Sequence, residues 1–406
     1  MKNEMKNIYL NPFKVTLVTL ICSASLTFAQ TTSLSNIDDG AFLDPPYKKN
    51  SLQLRQKFQT RDANFASLRS GLLNPMNEIL RVLKNDVLSV VDMQSSVKSQ
   101  GSRGTCSIFS AAALLETLLI SNQQMSKETL DLSEEWLEYV KAAETGGEGS
   151  SSPANINYFK RFGMPAETSL PYIGETWEKL EDSDLATERC ASLMGRDQKK
   201  CLIGHRNPKL LRARDADLLD ENSELHDPEF QLARSEATQM KNTQLINSPA
   251  YKYVWNEEEV KELLKAGVPV LLDIDFYYGA WNHREGPNHG LERNMEHWSQ
   301  GLVGYPEVGS LDRKVSLEDP AGHSILVVGY DDDEEMTVEQ QMLDGTKKTF
   351  TYKGVYYFKN SWGQSNFGVN TKIEGRNLPG YGKITQKYSH ESGAFFVWDW
   401  RTQDSN

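Results

Sequence analysis

The chain has 406 residues, more than one average domain, and its 38% hydrophobic and 10% aromatic content can build a sizeable core. This composition excludes a disordered chain. The formal net charge is -12, and no Lys/Arg-rich run is interleaved with aromatics, so nucleic acid is not an expected partner; the acidity reads as solubility.

Lys2, Lys6 and Lys14 make the start positive, the stretch from Val15 to Ala29 is uncharged, and a small residue precedes Gln30. That pattern is an export signal over residues 1–29, with a retained amphipathic anchor as the alternative. The apolar run is too short to span a bilayer and no later run is long enough, so no stable membrane insertion is expected after signal removal. The expected location is periplasmic or secreted. Residues 30–86 begin polar and turn helical in character, with Ile79, Leu80 and Leu83 at helix spacing. Of the four cysteines, Cys22 leaves with the signal, and Cys190 and Cys201 form an even pair beside Cys106. A disulfide between Cys190 and Cys201 is expected in an exported protein, two reduced surface thiols being the alternative.

The segment from Ile108 to Leu115, directly after Cys106, is apolar on nearly all sides, as a central buried helix is. The loop from Gln100 to Thr105, with Gly101 and Gly104, feeds it. A second helix is expected around Leu132-Ser133-Glu134-Glu135-Trp136-Leu137, with Ser133 as N-cap and acids in the first turn. The turn from Thr145 to Ser152 contains Gly146 and Gly147, which would let a ligand approach the backbone closely, although an ordinary loop has the same composition. Another helix is expected around Ile156 to Phe162. Residues 174–249 are strongly charged without clear periodicity and read as an inserted surface excursion rather than a third domain.

The last part reads as strands. Val268 to Ile274, Ser324 to Tyr330, Gly354 to Lys359 and Ala394 to Trp398 are short β-branched or aromatic runs bounded by Gly, Pro or charge. A helical portion, 87–173, thus precedes a β-rich portion, 250–406, an α+β chain in which a cleft between halves would suit a polypeptide substrate. His283, His289 and His297 have no metal-site spacing, and no metal or other cofactor is expected. The acidic run from Asp331 to Glu335 reads as a connecting loop.

Chemistry concentrates in two islands. Ser-Gln-Gly-Ser-Arg-Gly-Thr-Cys-Ser-Ile-Phe-Ser surrounds Cys106 and Lys-Asn-Ser-Trp-Gly surrounds Asn360, with His323 between them in Gly-His-Ser-Ile-Leu-Val-Val-Gly-Tyr. A thiol is a useful nucleophile as thiolate, and an imidazole oriented by a third polar group can generate it. On these motifs the chain resembles the papain family of cysteine peptidases from about Val91 to Trp398, the charged excursion apart. The resemblance implies a two-lobed α+β fold with a helical lobe, a β-barrel-like lobe and an active-site cleft between them. It makes Cys106 the nucleophile, His323 the base, Asn360 the residue that orients the ring and Gln100 an oxyanion donor. Trp362 would shield the His–Asn bond, and Gly146, Gly147 and Trp362 are expected at the substrate.

Residues 30–86 sit where the family carries an inhibitory extension, so a zymogen is expected. The implied activity is that of a monomeric endopeptidase acting on polypeptides through a thioester acyl-enzyme. The alternatives are an exopeptidase or transpeptidase using the same thiol, and an inactive peptide-binding or scaffold protein. One departure stands out: Arg103-Gly104-Thr105-Cys106-Ser107 replaces the usual Cys-Gly-Ser/Ala-Cys-Trp/Tyr, so the disulfide usual beside the active site is absent.

Overall fold

The computed structural model describes residues 86–121 and 125–398; the export signal and the extension up to residue 85 lie outside them. Helix α1 (Val87–Asp92) is capped by Asp86, whose side chain accepts from Ser89 N. Helix α2 (Cys106–Ser121) is buried from Cys106 through Leu119. With no polar face to show to water, it has to run through the interior, where it packs on both strands and helices. Helix α3 (Glu134–Thr145) starts at Ser133, whose hydroxyl accepts from Trp136 N at 3.0 Å, and ends at Gly146 in the left-handed region, φ 75°. Helix α4 (Ser152–Phe162) has Ser151 as its cap and Pro153 in its first turn.

The charged segment folds into α5 (Asp184–Cys190), α6 (Gly195–Gly204), α7 (Asp215–Leu219) and α8 (Pro228–Met240). It is tied down more firmly than its charge suggests. Phe230 of α8 is fully buried, with its ring 5.4 Å from that of Trp136 and 4.8 Å from that of Tyr139. Cys190 and Cys201 are joined in a disulfide that forms a small core with Leu193, apart from the main one. The buried apolar residues here, such as Leu210, Leu218 and Phe230, sit at positions too widely spaced to register as a pattern.

Strand β1 (Lys252–Val254), helix α9 (Glu257–Lys265) and strand β2 (Val270–Phe276) begin the β-rich half. Helix α10 (Met295–Gln300), β3 (Leu302–Val303) and α11 (Leu311–Glu318) follow, then the long strands β4 (Ala321–Gln341) and β5 (Lys347–Lys359). Strands β6 (Lys372–Ile373) and β7 (Arg376–Asn377) form a small ribbon before β8 (Tyr381–Thr385), α12 (Gln386–Ser392) and β9 (Gly393–Val397). The main sheet has the order β1-β9-β2-β4-β5-β8-β3, antiparallel except for the parallel β3–β8 pair. This is an α+β fold.

Each expected apolar run is a strand of that sheet. The acidic run from Asp331 to Glu335 differs from expectation: it is not a connecting loop but lies inside β4, at a register shift against β5. A bulge there lets the acids meet separate cations, Asp333 pairing with Lys353 and Glu334 with Lys383, so the charges are neutralised pairwise.

Candidate active site

The segment before α2 is stitched to the segment after β5. Gln100 N donates to Ser361 O at 2.9 Å, Gly363 N to Lys98 O at 3.0 Å, and Ser99 bridges Trp362. Residues some 260 positions apart in the chain are thereby neighbours, and Gln100 comes to lie beside the Asn360 motif. The Gln100 side chain is held at both ends: its Oε1 accepts from Ser361 Oγ at 2.7 Å and its Nε2 donates to Arg103 O at 2.7 Å. An amide N–H thus has a set direction before any substrate arrives.

Cys106 is the first residue of α2, buried and outside any disulfide. Unpaired backbone N–H groups and the helix dipole favour negative charge at such a position. One turn along, Ser110 Oγ meets Ser324 Oγ at 2.7 Å, which brings the start of α2 against the strand carrying His323. His323 on β4 pairs in register with Ile274 of β2, so its backbone is fixed from the strand's far side. Its Nε2 lies 2.9 Å from Asn360 Oδ1, and Nδ1 has no hydrogen-bond partner. The oriented tautomer therefore has Nε2–H donating to Asn360 and leaves Nδ1 as an acceptor.

An aromatic box surrounds the ring. Trp362 stacks on His323 at 4.7 Å between ring centres, and Trp281 and Phe276 meet it edge-on at 5.0 and 6.0 Å. Burial depresses the His323 pKa to about 3; the Asn360 bond opposes this and nearby His283 adds to it. Burial therefore favours the neutral imidazole in this arrangement.

Behind the pair lies a polar network that the sequence did not point out. Asp273 of β2 accepts from Ser152 N at 3.1 Å, from Ser152 Oγ at 2.6 Å and from Ser324 Oγ at 2.7 Å. The signal was available: an aspartate interrupting Val-Leu-Leu-Asp-Ile on a buried strand must have partners. A second network, Lys98 with Glu116, Glu134 and Asp131, ties the segment before Gln100 to α2 and α3 at 2.9, 2.9 and 2.6 Å.

Gly146 and Gly147 follow the last turn of α3. Gly146 is the C-terminal cap of α3, where an added Cβ would meet Lys200 of α6 at 3.4 Å, whereas one at Gly147 would meet open space. Trp362 is fully buried over His323. Among the described residues there is no cluster of side chains able to hold a metal ion, and no helix is long and apolar enough to cross a membrane.

Residues 89–374 match the sequence model of the papain family cysteine proteases. No curated protein matches the chain. Among solved structures, xylellain, a cysteine protease from Xylella fastidiosa, is 15% identical, with 74% of this chain and 81% of that chain covered and a TM-score of 0.44. The bromelain protease from Ananas comosus, in complex with the E64 inhibitor, is 14% identical over 76% of this chain and 94% of that one, with a TM-score of 0.39. The cysteine protease and lectin-like domains of Cwp84, a surface-layer-associated protein of Clostridium difficile, are 15% identical over 76% of this chain but only 49% of that one, at 0.38.

Proposed function

Since the chain belongs to the papain family of cysteine proteases, we propose that it is an exported endopeptidase that cleaves polypeptides through a thioester on Cys106. The observation that carries this reading is the state of His323, anchored to Asn360 through Nε2 with Nδ1 left as an acceptor, beside the helix start that bears Cys106.

In this reading Nδ1 takes the Cys106 proton and the thiolate adds to the scissile carbonyl carbon, the C=O pair moving to oxygen. The backbone N–H of Cys106 and the Gln100 amide donate to that oxygen, each donor contributing roughly 3 kcal/mol. The imidazolium then protonates the leaving amine, and water, deprotonated by the same ring, releases the acyl group and restores the thiol. Trp362 keeps water from the His–Asn bond. In this reading the turn at Gly146 and Gly147 receives an extended peptide, an added Cβ at Gly147 meeting open space, while the fully buried Trp362 acts through His323 rather than on the peptide. Residues 30–86 act as a removable inhibitory extension, and residues 1–29 direct export.

The test is intact-mass analysis after exposure to a peptidyl epoxide, with Cys106→Ala alongside, followed by hydrolysis of a peptide library. One adduct on wild type, none on the variant, and internal cleavages in the library support the proposal. Absence of both adduct and cleavage after removal of the extension would sink it in favour of a peptide-binding scaffold.

A further inference from the structure

The loop carrying Gln100 is gripped by the charged inserted segment along its whole length. At the segment's start, Ser102 N donates to Gly174 O at 2.7 Å, Thr176 N to Ser102 Oγ at 3.0 Å and Thr176 Oγ1 to Ser102 O at 2.7 Å. Gly101 has φ 60° and lies so close to Gly174 that an added Cβ would come within 2.2 Å of its carbonyl oxygen. Further along, Arg103 reaches into the segment: Nη2 donates to Ile203 O at 2.8 Å, and Nη1 lies 3.3 Å from His205 Nδ1. The same guanidinium donates to Glu135 Oε2 of α3 at 2.7 Å and to Ile173 O at 3.1 Å. His205 Nδ1 in turn lies 2.9 Å from Glu135 Oε1.

This cluster is dry. Arg103 and His205 are each 1% exposed and Glu135 2%. His205 itself adopts the left-handed backbone, φ 57°, directly after α6, and Trp177 covers its ring at 3.8 Å. Buried together, these three side chains restrain one another, because displacing one takes a charge or hydrogen-bond partner from the other two. What they hold is the Arg103 backbone, and the Arg103 carbonyl is the acceptor that directs the Gln100 Nε2 amide.

We propose that Arg103, through Glu135 and His205, is a positioning residue for the Gln100 oxyanion donor, and that the inserted segment is therefore part of the catalytic frame. The inference rests on the peptidase reading above. It assigns the insertion a role in the speed of the acyl-transfer step rather than in substrate capture. Guanidinium geometry is needed because Glu135, Ile173 O and Ile203 O are reached at once from two separate nitrogens of one planar fork, which a single ammonium cannot span.

The test is a double-mutant cycle between Gln100→Ala and Arg103→Lys in the full chain with its extension removed, with His205→Asn as a gentler second variant that tolerates the left-handed backbone. The readouts are kcat and KM on a peptide substrate, affinity for a peptide aldehyde whose adduct oxygen occupies the oxyanion position, and the rate of Cys106 alkylation by iodoacetamide, which uses no oxyanion donor. Arg103→Lys is expected to lower kcat and aldehyde affinity about tenfold or more, with KM and alkylation within about twofold, and to add little in the Gln100→Ala background. Effects that multiply in full, or alkylation falling in step with kcat, would overturn the proposal as mere loss of structure. If Arg103→Lys loses cooperative unfolding, the same cycle with His205→Asn decides. A wild type that alkylates but neither turns over peptide nor binds aldehyde would overturn the peptidase reading itself and this inference with it. A competent wild type with an indifferent Arg103→Lys would overturn the inference alone.

Discussion

Ser324, the residue after His323, donates its hydroxyl to Asp273 on the neighbouring strand at 2.7 Å, while the same Asp273 oxygen accepts from Ser152 at the start of α4. One carboxylate therefore joins the strand of the base to a helix of the other half. Because Ser324 also touches Ser110 of α2, the helix that begins at Cys106 and the strand that carries His323 are tied together through side chains beside the proposed site.

Asp273→Ala should destabilise the protein by about 2–4 kcal/mol, since it leaves Ser152 N and two hydroxyls buried without an acceptor. Asp273→Asn, which keeps an acceptor oxygen, should cost less. Urea unfolding of both variants checks the order, and equal losses would show that the charge rather than the acceptor matters.

Asn360→Ala should lower kcat roughly tenfold to a hundredfold, because the His323 ring loses the bond that sets its tautomer. KM should change little, since Asn360 faces the imidazole and not the peptide. Steady-state kinetics on one peptide substrate separates the two, and a KM effect larger than the kcat effect would remove the orienting role.

The contribution of two buried histidines to stability should fall as pH drops from about 6.5 towards 4, opposed in the whole chain by Glu134 and Glu167, whose carboxyls burial raises to about 7 and about 8. Burial holds His323 at about 3 and, with help from Arg103, His205 at about 4, both below the ordinary 6.5. The unfolded chain takes up these protons first, so protonation favours unfolding throughout that window. Glu135 extends the loss at lower pH: burial opposes its ionisation, but Arg103 and His205 hold it down at about 2 against an ordinary 4.5. Urea unfolding from pH 7 to 4 should show the stability difference between wild type and His205→Asn shrinking as pH falls, and a difference independent of pH would remove the buried neutral state of His205.

Lys98→Met should destabilise by about 3–5 kcal/mol, as it strands Glu116 and Glu134 in the interior without a cation. Its amine is held well above the ordinary lysine range because the carboxylates Glu134, Glu116 and Asp131 outweigh its burial. Glu134, which burial raises to about 7 against the pull of Lys98, should then become protonated at neutral pH. Chemical denaturation of the single variant and of Lys98→Met with Glu116→Gln distinguishes the stranded charge from lost packing, the double variant recovering part of the loss.

Local rules carried the sequence reading a long way. The all-round apolar stretch after Cys106 could only be a central helix, Ser133 with acids behind it could only begin one, and the short β-branched runs became β2, β4, β5 and β9. The long β4–β5 hairpin was legible only in its buried half. Its outer half is mostly charged and polar, and its apolar alternation is only Met336 and Val338 opposite Tyr352 and Phe350, too short to stand out beside the acidic run.

The sequence by itself determined the family and the residues that the proposed chemistry would use: a cysteine at a helix start, a histidine at the start of an apolar run, an asparagine two residues before a tryptophan, and a glutamine six residues upstream of the thiol. These are readable because each role demands one residue type in one local setting. Only the tertiary structure decided how that chemistry is held. Arg103, Glu135 and His205 come from three distant segments, as do Asp273, Ser152 and Ser324. Each is an ordinary polar residue in its own neighbourhood, and it becomes indispensable only when folding removes water from around it and leaves its partners as the sole means of satisfying it.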